Sequence, residues 1–414
     1  MRSAKTNVVF FSAGGASSFS ALAPATDQTG AATTLLRGTN AGPNKLFAEA
    51  QNVLLTNNVA FSSKTPFCAN RPTYSASTIS TAQSPSGIVQ ADFNGDGNQD
   101  LALSNSNAAS VRVYFGTGVG TFSSPSIYST GSFPYTLVAC DFNGDGVLDI
   151  AVANTSSASV ATLLGNGNNG FSSASSYAVH SASYGLIQSD FNGDGKRDLA
   201  VTSADNGTID VLLGVGLGTF APQVSYPIGS RPSGLVEGDF NADGYQDLAA
   251  INFNDSTVSI LLGIGNGAFS QQVTYTTGNG PRNIARGDFN EDGVQDLAVS
   301  NATANTMSIL LGLGAGAFAS PVSYAVQGSP LGISVGDVNG DGHADVLVAD
   351  NGTNTISLFI GSGSGGFSAQ TTYTVQSNPA YFAISDFNKD GRADLMVTNF
   401  GSSTASLLAY SGCN

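Results

Sequence analysis

The sequence predicts an all-β protein, a seven-bladed β-propeller with four antiparallel strands in each blade and an extension at the N-terminus. Two observations support this prediction. The segment "DFNGDGNQD", which begins at Asp92, returns in near-copies six more times at a constant spacing of 49 residues. Each copy is flanked by short apolar runs that Gly, Asn and Asp interrupt, and no stretch keeps helical spacing. Repeats of ~40–50 residues with four strands are typical of propeller blades.

Each repeat contains four apolar runs, which predict its four strands in order. The first run precedes the motif, as in "SGLVEGDF", and the second follows it, as in "DLAVSN". The third is rich in β-branched residues and ends in glycine, as in "TVSILLG", and the fourth leads from a Phe to a Tyr. These aromatic residues are expected to pack between blades: Phe122, Phe171, Phe220, Phe269, Phe318, Phe367, Tyr128, Tyr177, Tyr226, Tyr275, Tyr324 and Tyr373.

A proline seven residues before the motif is expected to fix the start of the first strand. It occurs in six of the seven repeats, and Ser183 takes its place in the third. The six prolines are Pro85, Pro134, Pro232, Pro281, Pro330 and Pro379.

The last repeat stops after its third strand, in "ASLLAYSGCN", so it lacks an outer strand. Residues 73–82 are placed where such a strand would fall, which predicts that they complete the seventh blade and close the ring. Closure removes the exposed sheet edge that would otherwise remain. We therefore expect an N-terminal extension over residues 1–71 and a propeller over 72–414.

Two of the three cysteines occupy nearly the same position of the 49-residue frame although they are far apart in the chain. Cys413 follows Asp386 by 27 residues, and Cys68 precedes Asp92 by 24. A Cys68–Cys413 disulfide would join the two ends of the ring and would indicate an oxidising compartment. Two neighbouring unpaired thiols remain the alternative.

The charge is strongly acidic and is concentrated in the motifs. The formal net charge is −15, and seven motifs with three aspartates each hold 21 of the 29 acidic residues. There is no basic stripe to meet phosphates, which argues against a nucleic-acid partner. No apolar stretch approaches 18 residues, so we expect no transmembrane helix.

The pattern D-x-N-x-D-G-x-x-D predicts a calcium loop in every blade. Calcium prefers six to eight oxygen ligands, commonly carboxylates, amide oxygens and backbone carbonyls, and the sixth-position glycine permits a sharp turn. An EF-hand is excluded because its twelfth-position Glu is absent. Magnesium is less favoured because it prefers a more regular cage of ligands, and zinc is not expected because histidines and cysteines are too few. The alternative is that these residues only form β-turns.

The predicted calcium ligands share four side-chain positions and one backbone position. First-position ligands are Asp92, Asp141, Asp190, Asp239, Asp288, Asp337 and Asp386. Third-position ligands are Asn94, Asn143, Asn192, Asn241, Asn290, Asn339 and Asn388. Fifth-position ligands are Asp96, Asp145, Asp194, Asp243, Asp292, Asp341 and Asp390. Ninth-position ligands are Asp100, Asp149, Asp198, Asp247, Asp296, Asp345 and Asp394. The varied seventh-position residues are expected to use only their carbonyl: Asn98, Val147, Lys196, Tyr245, Val294, His343 and Arg392.

These repeats resemble the FG-GAP or VCBS family, calcium-binding propeller repeats found in integrin α-subunits and many secreted bacterial proteins. The resemblance covers about residues 72–414. It implies a seven-site calcium rim formed by the loops between first and second strands, and a secreted, extracellular protein. Asn stands at the third position, where the family often has Asp, and Ala242, Glu291 and Lys389 replace the fourth-position glycine.

The face opposite the calcium rim is predicted to bind ligands. Its connecting loops vary most between repeats and carry aromatic and arginine residues, which are enriched at binding hot spots. The candidate ligand-binding residues are Phe133, Tyr135, Tyr184, Arg231, Arg282 and Tyr381. Extracellular glycans or proteins are the expected ligands, and ordinary local packing of these residues is the alternative.

Two further hypotheses stay open. We do not expect an enzyme, because the only histidines are His180 and His343 and no Ser/His/Asp set is evident. A polysaccharide lyase-like activity is the alternative. Residues 1–71 carry six basic and two acidic residues. This basic, partly apolar segment is interpreted as a signal or as an arm that assembles a homo-polymer, a fibre or tube, by strand donation.

Overall fold

A computed structural model describes residues 71–413 and four short strands nearer the N-terminus. The short strands belong to the unit Met1–Phe67 and form two antiparallel pairs. Phe19–Ala21 pairs with Leu36–Gly38, and Ala25–Thr26 pairs with Ala32–Thr33. The other predicted features of residues 1–71, including Cys68, lie outside the described residues, so the signal, the assembly arm and the disulfide stay predictions.

Residues 71–413 form seven four-stranded antiparallel sheets, which confirms the predicted seven-bladed propeller. Blade 1 contains the strands Pro85–Ala91, Asp100–Asn105, Ser110–Tyr114 and Ser126–Ser129. Blade 2 contains the strands Pro134–Cys140, Asp149–Asn154, Ser159–Leu163 and Ser175–Ala178. In blades 3 and 4 they are Ser183–Ser189, Asp198–Ser203, Thr208–Leu212, Val224–Pro227 and Pro232–Gly238, Asp247–Asn252, Thr257–Leu261, Val273–Thr276. In blades 5 and 6 they are Pro281–Gly287, Asp296–Asn301, Thr306–Leu310, Val322–Ala325 and Pro330–Gly336, Asp345–Asp350, Thr355–Phe359, Thr371–Thr374. Blade 7 contains Pro379–Ser385, Asp394–Asn399, Thr404–Cys413 and Pro72–Ser80.

Smaller elements lie in the connections. A 3-10 turn spans Ser106–Ala108, and two short ladders pair Gly214–Gly216 with Thr219–Phe220 and Gly312–Gly314 with Ala317–Phe318. Within the part of the chain that is described, no helix has the length and apolar character needed to cross a membrane.

The ring closes by pairing between the two ends of the propeller. Pro72–Ser80 is the fourth strand of blade 7 and pairs antiparallel with Thr404–Cys413. Each first strand also contacts the first strand of the next blade, and that of blade 7 contacts that of blade 1. The first strands therefore surround a common axis, and six of them begin at the predicted prolines.

The core lies between the blades. All six residues of every second strand are buried, because this strand is covered by neighbouring blades on both faces. One cluster joins Ile251 and Val258 of blade 4 to Ile284, Leu297 and Val299 of blade 5. Strands covered on both faces read as nearly continuous apolar runs, as "DLAVSN" does.

Aromatic residues fill the blade junctions, as the repeat predicted. The motif Phe142 and the outer-strand Tyr177 of blade 2 both make edge contacts with Phe220 of blade 3, at 5.7 and 5.2 Å between ring centres. Equivalent contacts recur around the ring. Between blades 6 and 7 the arrangement differs, because Tyr74 of the closing strand packs against Tyr373 at 5.2 Å.

Candidate functional site

The first aspartate of each motif organises its loop by accepting backbone hydrogen bonds. In blade 1, Oδ1 of Asp92 accepts from the N–H of Asp96 at 3.1 Å, and Oδ2 accepts from Gly97 at 2.8 Å. Both bonds are present in all seven loops. The sixth-position glycine has a positive φ throughout, +82° at Gly97, which explains why the motif requires glycine there.

The third and fifth positions complete the turn. The amide oxygen of Asn94 accepts from the N–H of Asp96, and Oδ1 of Asp96 accepts from the N–H of Asn98 at 2.7 Å. Hydrogen bonds to its charged form lower the pKa of the exposed Asp96 carboxyl, chiefly the bond from Asn98. The Asp96 side chain is therefore an exposed carboxylate at neutral pH.

The ninth aspartate has a structural role that the motif did not predict. It is the first residue of the second strand and is fully buried, and its side chain links two parts of the blade that are far apart in the sequence. In blade 1, Oδ2 of Asp100 accepts from the N–H of Phe93 at 2.9 Å, and Oδ1 accepts from Gly116 at 2.8 Å. The equivalent pair of bonds occurs in every blade, with Tyr410 as the second donor in blade 7.

Burial raises the pKa of the ninth-position carboxyls. Desolvation is the largest cause, and the neighbouring fifth- and first-position carboxylates raise it further. The pKa rises to about 6 at Asp100 and to about 7 at Asp345. Each loop thus has a buried carboxyl next to two carboxylates that repel its charge, which is an arrangement that a cation stabilises.

The loops do not converge into a ready cage of side chains. Over residues 71–413 no group of three or more His, Cys, Asp or Glu side chains is close enough to hold a metal ion. The carboxylates of each loop instead satisfy its own backbone N–H groups.

A pocket lies at the opposite end of the first strands. Tyr135 is the second residue of its strand and Asp141 directly follows that strand, so the two ends are about 20 Å apart. The pocket has a volume of about 160 Å³. Its lining is Tyr135, Thr136, Tyr184, Gly185, Leu186, Arg231, Pro232, Ser233, Gly234, Leu235, Phe253, Arg282, Asn283, Leu331 and Tyr381.

Five of the six residues predicted to bind ligand line this pocket, namely Tyr135, Tyr184, Arg231, Arg282 and Tyr381. The ring of Tyr135 contacts those of Tyr184 and Tyr381 edge-on, at 5.2 and 5.8 Å. Phe133, which lies in the turn before the first strand of blade 2, does not line the pocket.

Sequence reasoning missed Phe253, whose ring contacts two arginines. The guanidinium carbon of Arg282 lies 4.3 Å from the centre of the Phe253 ring, and that of Arg231 lies 5.2 Å from it. Phe253 directly follows the second strand of blade 4, where blades 1, 2 and 3 have Ser106, Thr155 and Ala204. That departure from the repeat is the signal that could have identified it.

A Ser/His/Asp cluster that was not recognised in the sequence occurs in blade 3. Nδ1 of His180 lies 3.0 Å from Oδ1 of the buried Asp210, and the hydroxyl of Ser225 donates to the same oxygen at 2.7 Å. Ser225 lies 3.4 Å from Nδ1, the ring nitrogen that already faces Asp210. In a catalytic triad, the serine and the aspartate contact different ring nitrogens. The arrangement here is that of a polar structural cluster.

Comparison with known families decides the family of the chain. The FG-GAP-like repeat matches residues 92–152, 190–250, 239–299, 288–348 and 337–397, and the FG-GAP repeat matches 133–174. The chain belongs to the FG-GAP-like repeat family. The motif loops and blades described above are those of FG-GAP repeats. A comparison with curated proteins found no match.

Solved structures similar to this FG-GAP protein include enzymes and a lectin. Virginiamycin B lyase from Staphylococcus aureus has a TM-score of 0.59 at 13% identity, over 82% of this chain and 100% of that one. An Agrocybe aegerita lectin that recognises non-reducing terminal N-acetylglucosamine has a TM-score of 0.52 at 19% identity, and the match covers 78% of this chain and 87% of the lectin chain. The periplasmic gluconolactonase of Pseudomonas aeruginosa has a TM-score of 0.55 at 17% identity, over 72% and 86%. At these identities the likeness shows the propeller fold alone.

Proposed function

We propose that this FG-GAP propeller is a secreted, calcium-stabilised binding protein that takes extracellular glycan or protein ligands in the pocket around Tyr135. The observation that supports this most strongly is the composition of the pocket. Three tyrosines, one phenylalanine and two arginines meet at one end of the ring axis. Concave sites with aromatic walls and a few polar groups are the usual form of ligand sites.

The motif loops are proposed to hold calcium at the other end. Their carboxylate, amide and carbonyl oxygens fit the ligand preference of calcium, and the buried ninth-position carboxyl beside two carboxylates supports a cation there. The first-, third-, fifth- and ninth-position side chains and the seventh-position carbonyl of each blade would hold it. Calcium would neutralise the repulsion within each loop and stabilise the fold. Extracellular calcium modules bind the ion with dissociation constants of ~10⁻⁴–10⁻³ M, and we expect affinities in this range here.

Binding of a panel of glycans and extracellular proteins to the full chain in millimolar calcium tests the proposed pocket. We expect Tyr135→Ala to weaken capture of the bound ligand at least about tenfold, because truncating an aromatic hot spot removes about 2 kcal/mol or more. Arg286→Ala is the control, since this arginine lies outside the pocket and pairs with Glu237 at 3.2 Å. Equal capture by the wild type and by Tyr135→Ala would show that ligands bind elsewhere.

A further inference from the structure

The pocket is positively charged, although the protein as a whole is acidic. The net charge is −15, and yet the pocket lining contains two arginines and no aspartate or glutamate. Ion pairs of lysine and arginine within residues 71–413 include Lys196 with Asp194 and Arg286 with Glu237, and neither pocket arginine forms one. In a chain with 29 acidic and 14 basic residues, two guanidiniums without a carboxylate partner at one site are unexpected.

Both guanidiniums are held in place by the same aromatic ring. Arg231 and Arg282 each lie within 5.2 Å of the centre of Phe253, where the ring face attracts cations. Both arginines line the same pocket, where a bound anion would offset their positive charge. Guanidinium groups offer planar pairs of N–H donors that match a carboxylate. Two guanidiniums in one pocket therefore favour a ligand that carries a carboxylate.

The pocket has room for one ring of a ligand. Its volume of about 160 Å³ is similar to that of a cavity of about 150 Å³ that holds one benzene molecule. The three tyrosines offer aromatic edges and faces, with hydroxyls at their tips. Burial raises the pKa of Tyr135 and of Tyr381, so both hydroxyls keep their protons at neutral pH.

We propose that the pocket binds a carboxylate-bearing sugar ring, a hexuronic acid residue. Arg231 and Arg282 pair with the carboxylate, and the cluster of Tyr135, Tyr184 and Tyr381 contacts the ring. This inference rests on the proposed ligand-binding role of the pocket and specifies the chemical class of its ligand.

Calorimetric titration of the full chain with glucuronate and galacturonate, each compared with its neutral parent sugar, tests the inference. We expect at least one uronate to bind at least about tenfold more tightly than its parent, because hydrogen bonds to charged groups are stronger than those between neutral groups. Arg282→Gln should remove most of this preference, and raised salt should weaken uronate binding. Arg286→Gln is the matched control, and a melting curve of each variant shows that it folds.

The outcomes distinguish a failure of the uronate assignment from a failure of the proposed ligand-binding role of the pocket. Equal binding of uronate and neutral sugar, binding of neither, or an unchanged preference in Arg282→Gln would overturn the uronate assignment. The pocket would still be a ligand site if Tyr135→Ala lost capture of another ligand in the panel. Failure of the pocket itself would instead appear as ligand capture that no pocket substitution affects.

Discussion

At the scale of single residues, the fourth position of the motif loop shows how backbone conformation limits the repeat. Four loops have glycine there, and its N–H donates to the first aspartate, as Gly193 does at 2.7 Å. Ala242, Glu291 and Lys389 take the same position with φ values of +60°, +59° and +61°. This left-handed conformation is unfavourable for residues with a Cβ.

Ala242→Gly should therefore stabilise the protein by about 0.5–1 kcal/mol, since relief of the strained φ outweighs the added freedom of the unfolded chain. The reverse change, Gly193→Ala in the neighbouring blade, should destabilise by a similar amount. A Cβ at Gly193 meets nothing within 4 Å, so its effect is that of the backbone alone. Urea denaturation of both variants measures the difference, and a loss of stability in Ala242→Gly would refute the explanation.

A second residue-scale prediction concerns Asp350, which ends the second strand of blade 6. Five other blades have Asn at this position, and the side chain is fully buried. In Asp350 the Oδ2 atom accepts from Ser357 at 2.7 Å, whereas Oδ1 has no hydrogen-bond partner within the described structure. Burial raises the pKa of Asp350 from 3.8 to about 6.

The sign of the pH dependence follows from that shift. Between pH 3.8 and 6 the unfolded chain releases this proton while the folded protein keeps it, so the stability contribution of Asp350 falls as pH rises and stays lower above pH 6. Asp350→Asn should stabilise the protein above pH 6 by about 1–2 kcal/mol and have little effect below pH 4. Thermal melts of both proteins across this range check it, and a gain that does not depend on pH would contradict this cause.

At the scale of strands, hydroxyl groups connect neighbouring blades near the axis. Oγ1 of Thr202 accepts from the N–H of Gly185 in its own blade at 2.9 Å and donates to the carbonyl of Ser233 in the next blade at 2.6 Å. Thr398 makes the equivalent bond from blade 7 to Ser86 of blade 1 at 2.7 Å. A Cβ on Gly185 would lie 2.4 Å from the Ser233 carbonyl, so glycine permits this close approach.

Thr202→Val should destabilise the protein by about 1–3 kcal/mol, because it leaves buried backbone groups without partners. Thr162 is the matched control, since its hydroxyl is buried and has no partner within the described residues. Thr162→Val should be neutral or stabilising for that reason. Equal losses in the two variants would show that the bond between blades does not matter.

Strand order and blade number could be predicted because the same pattern of motif and apolar runs occurs seven times in the sequence. The start of the first strand at proline and the aromatic contacts of Phe220 follow from local chemistry that recurs at each copy. The backbone bonds of Asp100 could not be predicted, since the motif shows which side chains carry oxygen but not which N–H groups face them. The pair of Phe253 with Arg282 also escaped prediction, because it joins loops of different blades through a phenylalanine that only two of the seven repeats contain, Phe253 and Phe400.

At the scale of the whole molecule, the closing pair of strands determines how the ends of the propeller are held. Cys413 is the last residue of the strand Thr404–Cys413 and is paired with Pro72 of the closing strand. Pro72 lies only four residues after Cys68 in the sequence. A Cys68–Cys413 disulfide is expected to stabilise the ring by about 2–4 kcal/mol. Peptide mapping by mass spectrometry without reduction should find the two cysteines linked, and two free thiols in protein purified from an oxidising compartment would contradict it.

The central claim concerns the seven motif loops, which we propose to be calcium sites that stabilise the ring. With free calcium ten times above the dissociation constant, each site would contribute about 1.4 kcal/mol. The most direct measurement is the thermal melt of the full chain in calcium and in EDTA, together with the number of calcium ions bound per chain. The account predicts about seven ions and a melting temperature that falls steeply in EDTA. An unchanged melt with no bound calcium would contradict it.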